Sequence, residues 1–264
     1  MSMQRPPDRK APPILFSRGT SEWVSRVNQK HKQLTELGLS TEQQESLDRW
    51  VETEFVYSTL KLEGAGINRE QVARVVLFVT GAGGAAENDR MMMALLASLR
   101  TVTSLARANG KAAELTSELI FELHSLSGAA FSRTTGNTDR MMKPQAAEHL
   151  PALLESACQW FTAESFAELN PVEQASIVLL RLIEIHPFEE ANERTALVAA
   201  SLFTLRRGLP PVIVKPEMEP AYRGALEEGS RMNTNPMVEL VAGAVEKSLS
   251  EAIENSARLG EKSR

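Results

Sequence analysis

The segment that decides the fold runs from Asn170 to Gly208, and its centre reads His186-Pro187-Phe188-Glu189-Glu190-Ala191-Asn192-Glu193-Arg194-Thr195-Ala196-Leu197. Helical sequence flanks this centre on both sides. Asn170 is an N-cap residue, Pro171 suits the first helical position, and Glu173 completes a capping box. Val178, Leu179, Leu182 and Ile183 then form a buried stripe. Pro187 disfavours helical geometry at the residue before it, so the helix ends at His186. After a short loop Asn192 is expected to cap a second helix reaching Arg207, which Gly208, Pro210 and Pro211 stop.

Outward from this pair, helical signs dominate. Ser40 with Gln43 and Asn68 with Gln71 make two more capping boxes. Leu47, Trp50, Val51 and Phe55 follow the first, and Val72, Val75, Val76 and Val79 the second. Segments 90–108, 114–127, 153–161, 222–231 and 236–257 also read as helices. Gly81 to Gly84 lacks the Gly-Lys-Ser/Thr ending of a phosphate loop and reads as a linker. Residues 133–151, with Thr134, Gly136, Pro144 and Pro151, break the rhythm and suit a short hairpin. The fold class is all-α. The division expected is an arm over 1–20, N-terminal helices over 21–90, and a core with C-terminal helices over 91–264.

Composition narrows the function. The 264 residues carry 29 basic and 34 acidic side chains, a net charge of −5, which argues against a broad nucleic-acid-binding surface. No apolar run approaches the roughly 18 residues needed to span a bilayer, and the proline-rich start lacks a signal-peptide core, so no membrane partner is expected. Cys158 is the only cysteine, which excludes an internal disulfide and a cysteine-based zinc site. The compartment expected is the cytoplasm.

The central loop concentrates one histidine, three carboxylates, an asparagine and an arginine at a helix–loop–helix junction. By composition alone this is an ordinary capped helix, since the helix dipole favours Glu in the first turn. The same set also suits phosphoryl or nucleotidyl transfer. A helix N-terminus offers free N–H groups to an anion. A neighbouring carboxylate can hold Mg²⁺ against phosphate oxygens, and an arginine can pair with phosphate charge. A histidine can take a proton from an attacking hydroxyl. Phe188 reads as the apolar pin of the loop.

The order of these residues resembles the signature of the Fic/Doc (Fido) family. That signature runs His, any residue, Phe, any residue, Asp or Glu, Gly or Ala, Asn, Gly or Lys, Arg, two residues, Arg. His186, Phe188, Glu190, Ala191, Asn192 and Arg194 match it. Upstream, Thr59 to Gly64 resembles the family's inhibitory pattern of Ser or Thr, three residues, Glu, then Gly or Asn. Arg133 to Thr135 with the following stretch and Trp160 resemble the target-docking flap and next helix. Gly208 to Ile213 and Tyr222 to Leu226 resemble the downstream segment.

The resemblance implies an all-α Fic-type domain with a short β-hairpin flap. It implies Mg²⁺-dependent transfer of AMP from ATP to a hydroxyl side chain of a target protein. His186 would be the base and Glu190 the metal ligand. Ala191, Asn192, Glu193, Arg194 and Thr195 would cradle phosphate, and Tyr222 would approach the adenine. Asp139, Arg140, Met141 and Met142 would hold the target as an added strand. Glu63 would reach into the site and inhibit. Such proteins are commonly dimers, so a homodimer is among the assemblies implied.

Two departures stand out. Leu197 replaces the second arginine, the usual partner of the inhibitory glutamate, so either Arg194 substitutes or Glu63 no longer inhibits. Glu193 stands where the family has Gly or Lys, and either points outward or weakens nucleotide binding by repelling phosphate. The lost arginine is shared with the Doc branch, which leaves a Doc-like protein kinase as the alternative reading. A catalytically weak binding module is the third. Elsewhere, His124 is read as an interface histidine, His31 and His149 as surface residues, and Cys158 as a buried inert thiol.

Overall fold

The computed structural model describes residues 22–77, 87–127 and 149–262. Among them every regular element is helical. The α-helices are α1 (Glu22–Glu36), α2 (Thr41–Leu62), α3 (Arg69–Leu77), α4 (Glu87–Asn109), α5 (Ser117–Leu126) and α6 (Leu150–Phe161). They continue with α7 (Glu164–Ala167), α8 (Pro171–Ile185), α9 (Asn192–Leu205), α10 (Glu219–Ser230) and α11 (Asn235–Lys262). None of the described helices is long and apolar enough to cross a membrane. The hairpin flap expected after residue 133, and the arm over 1–20, lie outside the described residues.

The capping residues do what their chemistry allows. Gln43 N donates to the Ser40 hydroxyl at 3.3 Å while Ser40 N donates to Gln43 Oε1 at 2.9 Å. Asn170 accepts from Val172 N, and its own N–H donates to Glu173 at 2.9 Å. Asn68 and Gln71 exchange the same pair of bonds. Each box satisfies donors that a helix start leaves orphaned.

Helices α8 and α9 are the centre of the molecule. They pack more extensively on each other than any other pair, with α4 and α5 also against α9 and α6, α10 and α11 against α8. From Arg194 to Thr204 every residue of α9 is buried, which is the pattern of a helix enclosed on all sides. Its small residues Ala196, Ala199, Ala200 and Ser201 let neighbours approach. Gly229 does the same for α10: a Cβ there would lie 2.4 Å from Leu180 Cδ2 on α8. The Phe161, Phe166 and Phe203 rings meet at centroid distances of 5.3–6.3 Å, locking α6 and α7 onto α9. Met92, from the triple methionine, is fully buried as core filler.

The consequence for function lies at one end of α9. Its N-terminus meets the C-termini of α2, α5 and α8. One helix start and three helix ends converge, so free N–H groups and free carbonyls are concentrated in one place.

Candidate active site

The loop between α8 and α9 is bent by two residues in left-handed backbone conformation. His186 closes α8 with φ 51° and ψ 58°, and Ala191 precedes α9 with φ 60° and ψ 20°. Neither is glycine, so the loop must be held by other contacts to keep these angles. Pro187 explains the first bend, since it forbids α8 to continue through His186.

Asn192 supplies much of that hold. It was expected to cap α9; instead Ala191 occupies the N-cap position and Asn192 is the first helical residue. With Ala191 left-handed, the Asn192 side chain turns back into the loop. Its Oδ1 accepts from Phe188 N at 3.0 Å, and its Nδ2 donates to Phe188 O at 2.7 Å. The same Nδ2 lies 3.1 Å from His186 Nε2. One side chain therefore closes the loop and orients the imidazole. Because the cap position has no side-chain acceptor, the first N–H groups of α9 remain open to an anion.

Phe188 pins the loop from the other side. Its ring stacks on His124 of α5 at 3.6 Å between centroids and meets Phe121 edge-on at 5.8 Å. His124 Nε2 lies 3.2 Å from Glu190 O. A carbonyl only accepts, so Nε2 carries the hydrogen. Burial lowers the His124 pKa, opposed by the bond to Glu190 O, with the Arg194 charge adding to the lowering. His124 thus supports the loop through its ring stack and its bond to Glu190 O. Glu190 is half-buried and Glu189 exposed beside it.

Arg194 answers one question the sequence left open. Its Nε donates to Glu63 Oε1 and its Nη2 meets Glu63 Oε2, both at 2.8 Å. Its Nη1 donates to Ser127 O at 3.1 Å, at the negative end of α5. Arg194 is therefore the cation that Glu63 meets, while Leu197 is fully buried in the core. Glu63 reaches it from the end of α2 because Gly64, with φ +81°, turns the chain away immediately afterwards.

Glu193 points inward. It pairs with Arg223 of α10 at 3.1 Å, and its side chain is only 12% exposed. Burial pushes its pKa up to about 7; Arg223 opposes the rise and Glu63 adds to it. Tyr222 is fully buried behind this pair, and its phenol is raised well above the ordinary value, first by burial and then by the Glu193 charge. Having no exposed face, Tyr222 supports the site from behind rather than meeting a ligand directly. Thr195, also buried, has its hydroxyl 3.5 Å from that of Ser127. Asp139, Arg140, Met141 and Met142 lie outside the described residues.

Arg223 is the site residue that sequence reading passed over. The clue available was Glu193 itself: a carboxylate that starts a helix rich in Ala, Leu and Val is carried toward the interior, where it needs a cation, and Arg223 adjoins Tyr222. Cys158 is buried, its thiol pushed up to about 12 by burial, with Glu155 and Glu118 adding to it.

The donor set can be weighed for a metal. Among the described residues no group of three or more His, Cys, Asp or Glu could hold an ion. A single carboxylate at Glu190 beside an anion-accepting helix start fits a magnesium ion that takes most of its ligands from phosphate and water.

Known proteins resemble this chain in sequence and in fold. The Fic/DOC family model matches residues 114–204. Residues 114–204 belong to the Fic/DOC family. Protein adenylyltransferase fic-1 of Caenorhabditis elegans is 24% identical over 212 residues, covering 74% of this chain and 40% of that protein. Protein adenylyltransferase Fic of Drosophila grimshawi is 28% identical over 144 residues, covering 52% and 30%. The chain thus spans less than half the length of these relatives. The fold is shared with a Fic-domain signalling protein of Bacteroides thetaiotaomicron, at TM-score 0.74 and 23% identity over 89% of this chain and 98% of that one. It is shared also with Fic-1 of C. elegans, at TM-score 0.75 and 23% identity over 89% and 71%.

Proposed function

We propose that this Fic protein transfers AMP from ATP to a hydroxyl side chain of a target protein, and that Glu63 restrains the reaction. The observation that carries this reading is the clasp of His186 by Asn192 at the open N-terminus of α9, with Arg194 in the same turn. The relatives named as protein adenylyltransferases support it.

His186 takes the proton of the target hydroxyl. The freed oxygen attacks the α-phosphorus, the new P–O bond forms, and the bond to the pyrophosphate oxygen breaks. The N–H groups of Asn192 to Arg194 receive phosphate oxygens, and Arg194 offsets their charge. Glu190 would hold magnesium, which neutralises phosphate charge when bound. Asn192 keeps the imidazole aimed. In the resting arrangement the Glu63 carboxylate occupies Arg194, the cation that phosphate needs. The target protein would dock through residues 139–142, and a homodimer remains part of the proposal.

Leu197 supports a second reading. With no second arginine on α9, the nucleotide could lie reversed, as in a Doc-like kinase, and the γ-phosphate would be transferred. Incubation of Glu63→Gly protein with ATP labelled at the α- or the γ-phosphate separates the two. Retention of the α-label supports adenylyl transfer; retention of the γ-label alone supports the kinase.

A further inference from the structure

Arg223 bridges two elements that hold opposite parts of the site. Its Nη1 lies 3.1 Å from both carboxylate oxygens of Glu193, in the first turn of α9. Its Nη2 donates to Leu62 O at 3.3 Å, the last carbonyl of α2. A cation at a helix C-terminus meets the negative end of the dipole and an orphaned carbonyl together. Leu62 is immediately followed by Glu63.

The base of this bridge is rigid. Tyr222, adjacent to Arg223, is fully buried, and Gly229 brings α10 into tight contact with α8. The Arg223 head is therefore presented from a fixed helix, and the bond to Leu62 O fixes where the Glu63 side chain begins its reach.

Charge makes the same point. Glu63 and Glu193 bring two carboxylates to adjoining places, each needing its own cation. Arg194 serves Glu63 and Arg223 serves Glu193. Arg223 thus holds Glu193 on one side and, through Leu62 O, the end of α2 that carries Glu63 on the other.

We propose that Arg223 is a positioning residue that latches the end of α2 to α9 and so keeps Glu63 on Arg194. The latch rests on the reading that Glu63 restrains the site. Removing Arg223 should free the inhibitory carboxylate even though Glu63 itself is intact.

The test compares Arg223→Gln, Glu63→Gly and the double variant in the full chain. MgATP affinity is measured by calorimetry and amide exchange over residues 60–65 by mass spectrometry. Arg223→Lys, which retains the charge, serves as a second variant, and circular dichroism checks folding. The latch requires that Arg223→Gln speed exchange at 60–65 and tighten MgATP binding about fivefold or more. It also requires that the double variant bind no more tightly than Glu63→Gly, with Arg223→Lys falling between wild type and Arg223→Gln. Tighter binding in Glu63→Gly with none in Arg223→Gln overturns the latch and leaves the restraint standing. No tightening in Glu63→Gly overturns the restraint itself, whatever the exchange shows. Additive effects in the double variant also overturn the latch, because Arg223 would then act on the nucleotide and not through Glu63.

Discussion

Arg194 grips Glu63 through two contacts of 2.8 Å, joining positions 131 residues apart in sequence. The arginine side chain is 3% exposed and the glutamate 16%, so this is a buried pair. Removing one partner of such a pair leaves the other charge stranded, at a cost of roughly 3 kcal/mol or more. Glu63→Ala is therefore expected to lower thermal stability in the absence of nucleotide. MgATP should restore part of it, because phosphate replaces the lost carboxylate and binding to the folded state stabilises by mass action. Differential scanning fluorimetry with and without MgATP reads both effects. The nucleotide-induced rise in Tm is expected to be larger in Glu63→Ala than in wild type.

The raised pKa of Glu193 gives stability a pH dependence of definite sign. Its folded value of about 7 lies above the 4.5 of the free group. Between these values the folded state holds a proton that the unfolded chain has released, so stability falls as pH rises through this window. Arg223, Glu63 and Tyr222 are the charged or titratable groups facing it, and Arg223 already limits the rise. A shift of this size corresponds to about 3 kcal/mol. Glu193→Gln should flatten the loss between about pH 4.5 and 7, seen as a Tm difference from wild type that grows across the window. Parallel pH profiles for the two proteins would remove Glu193 as the cause.

Asn192 makes two hydrogen bonds to Phe188 and one contact to His186. Each ordinary bond contributes about 1 kcal/mol, and a stranded buried partner costs more. Asn192→Ala is expected to destabilise by roughly 2 kcal/mol. Asn192→Asp retains the acceptor for Phe188 N but loses both donor contacts. It sets a carboxylate oxygen against Phe188 O, so it should lower Tm at least as much as Asn192→Ala, and it should lose transfer activity because the imidazole is no longer aimed by the amide. A fall in Tm without a change in kcat for Asn192→Asp would separate loop closure from catalysis.

These cases show what local sequence can and cannot reveal. Capping boxes at Ser40, Asn68 and Asn170 were legible because cap, spacing and partner lie within three residues. The end of α8 was legible because Pro187 acts on its immediate neighbour. Asn192 was misread because its residue type favours an N-cap, whereas a left-handed Ala191 displaced it by one position and turned its side chain inward. The partners of Arg194 and Glu193 lie 131 and 30 residues away, and only tertiary packing of α2 and α10 brings them in. Sequence could pose both questions but had no local chemistry with which to answer them.

Cys158 should be chemically silent. Its thiol is buried and its pKa is pushed up to about 12, so almost no thiolate exists near neutral pH. A thiol-specific disulfide reagent is expected to label it only after unfolding, at a rate set by global stability. Rapid labelling of the native protein would mean that α6 opens locally.

Intact-mass spectrometry of the Glu63→Gly protein after incubation with ATP and Mg²⁺ addresses adenylyl transfer itself, using self-modification as the readout. One adenylyl mass is expected, absent when His186→Ala is added to the same protein. Addition of a phosphate mass, or of an adenylyl mass that persists without His186, would contradict the assignment.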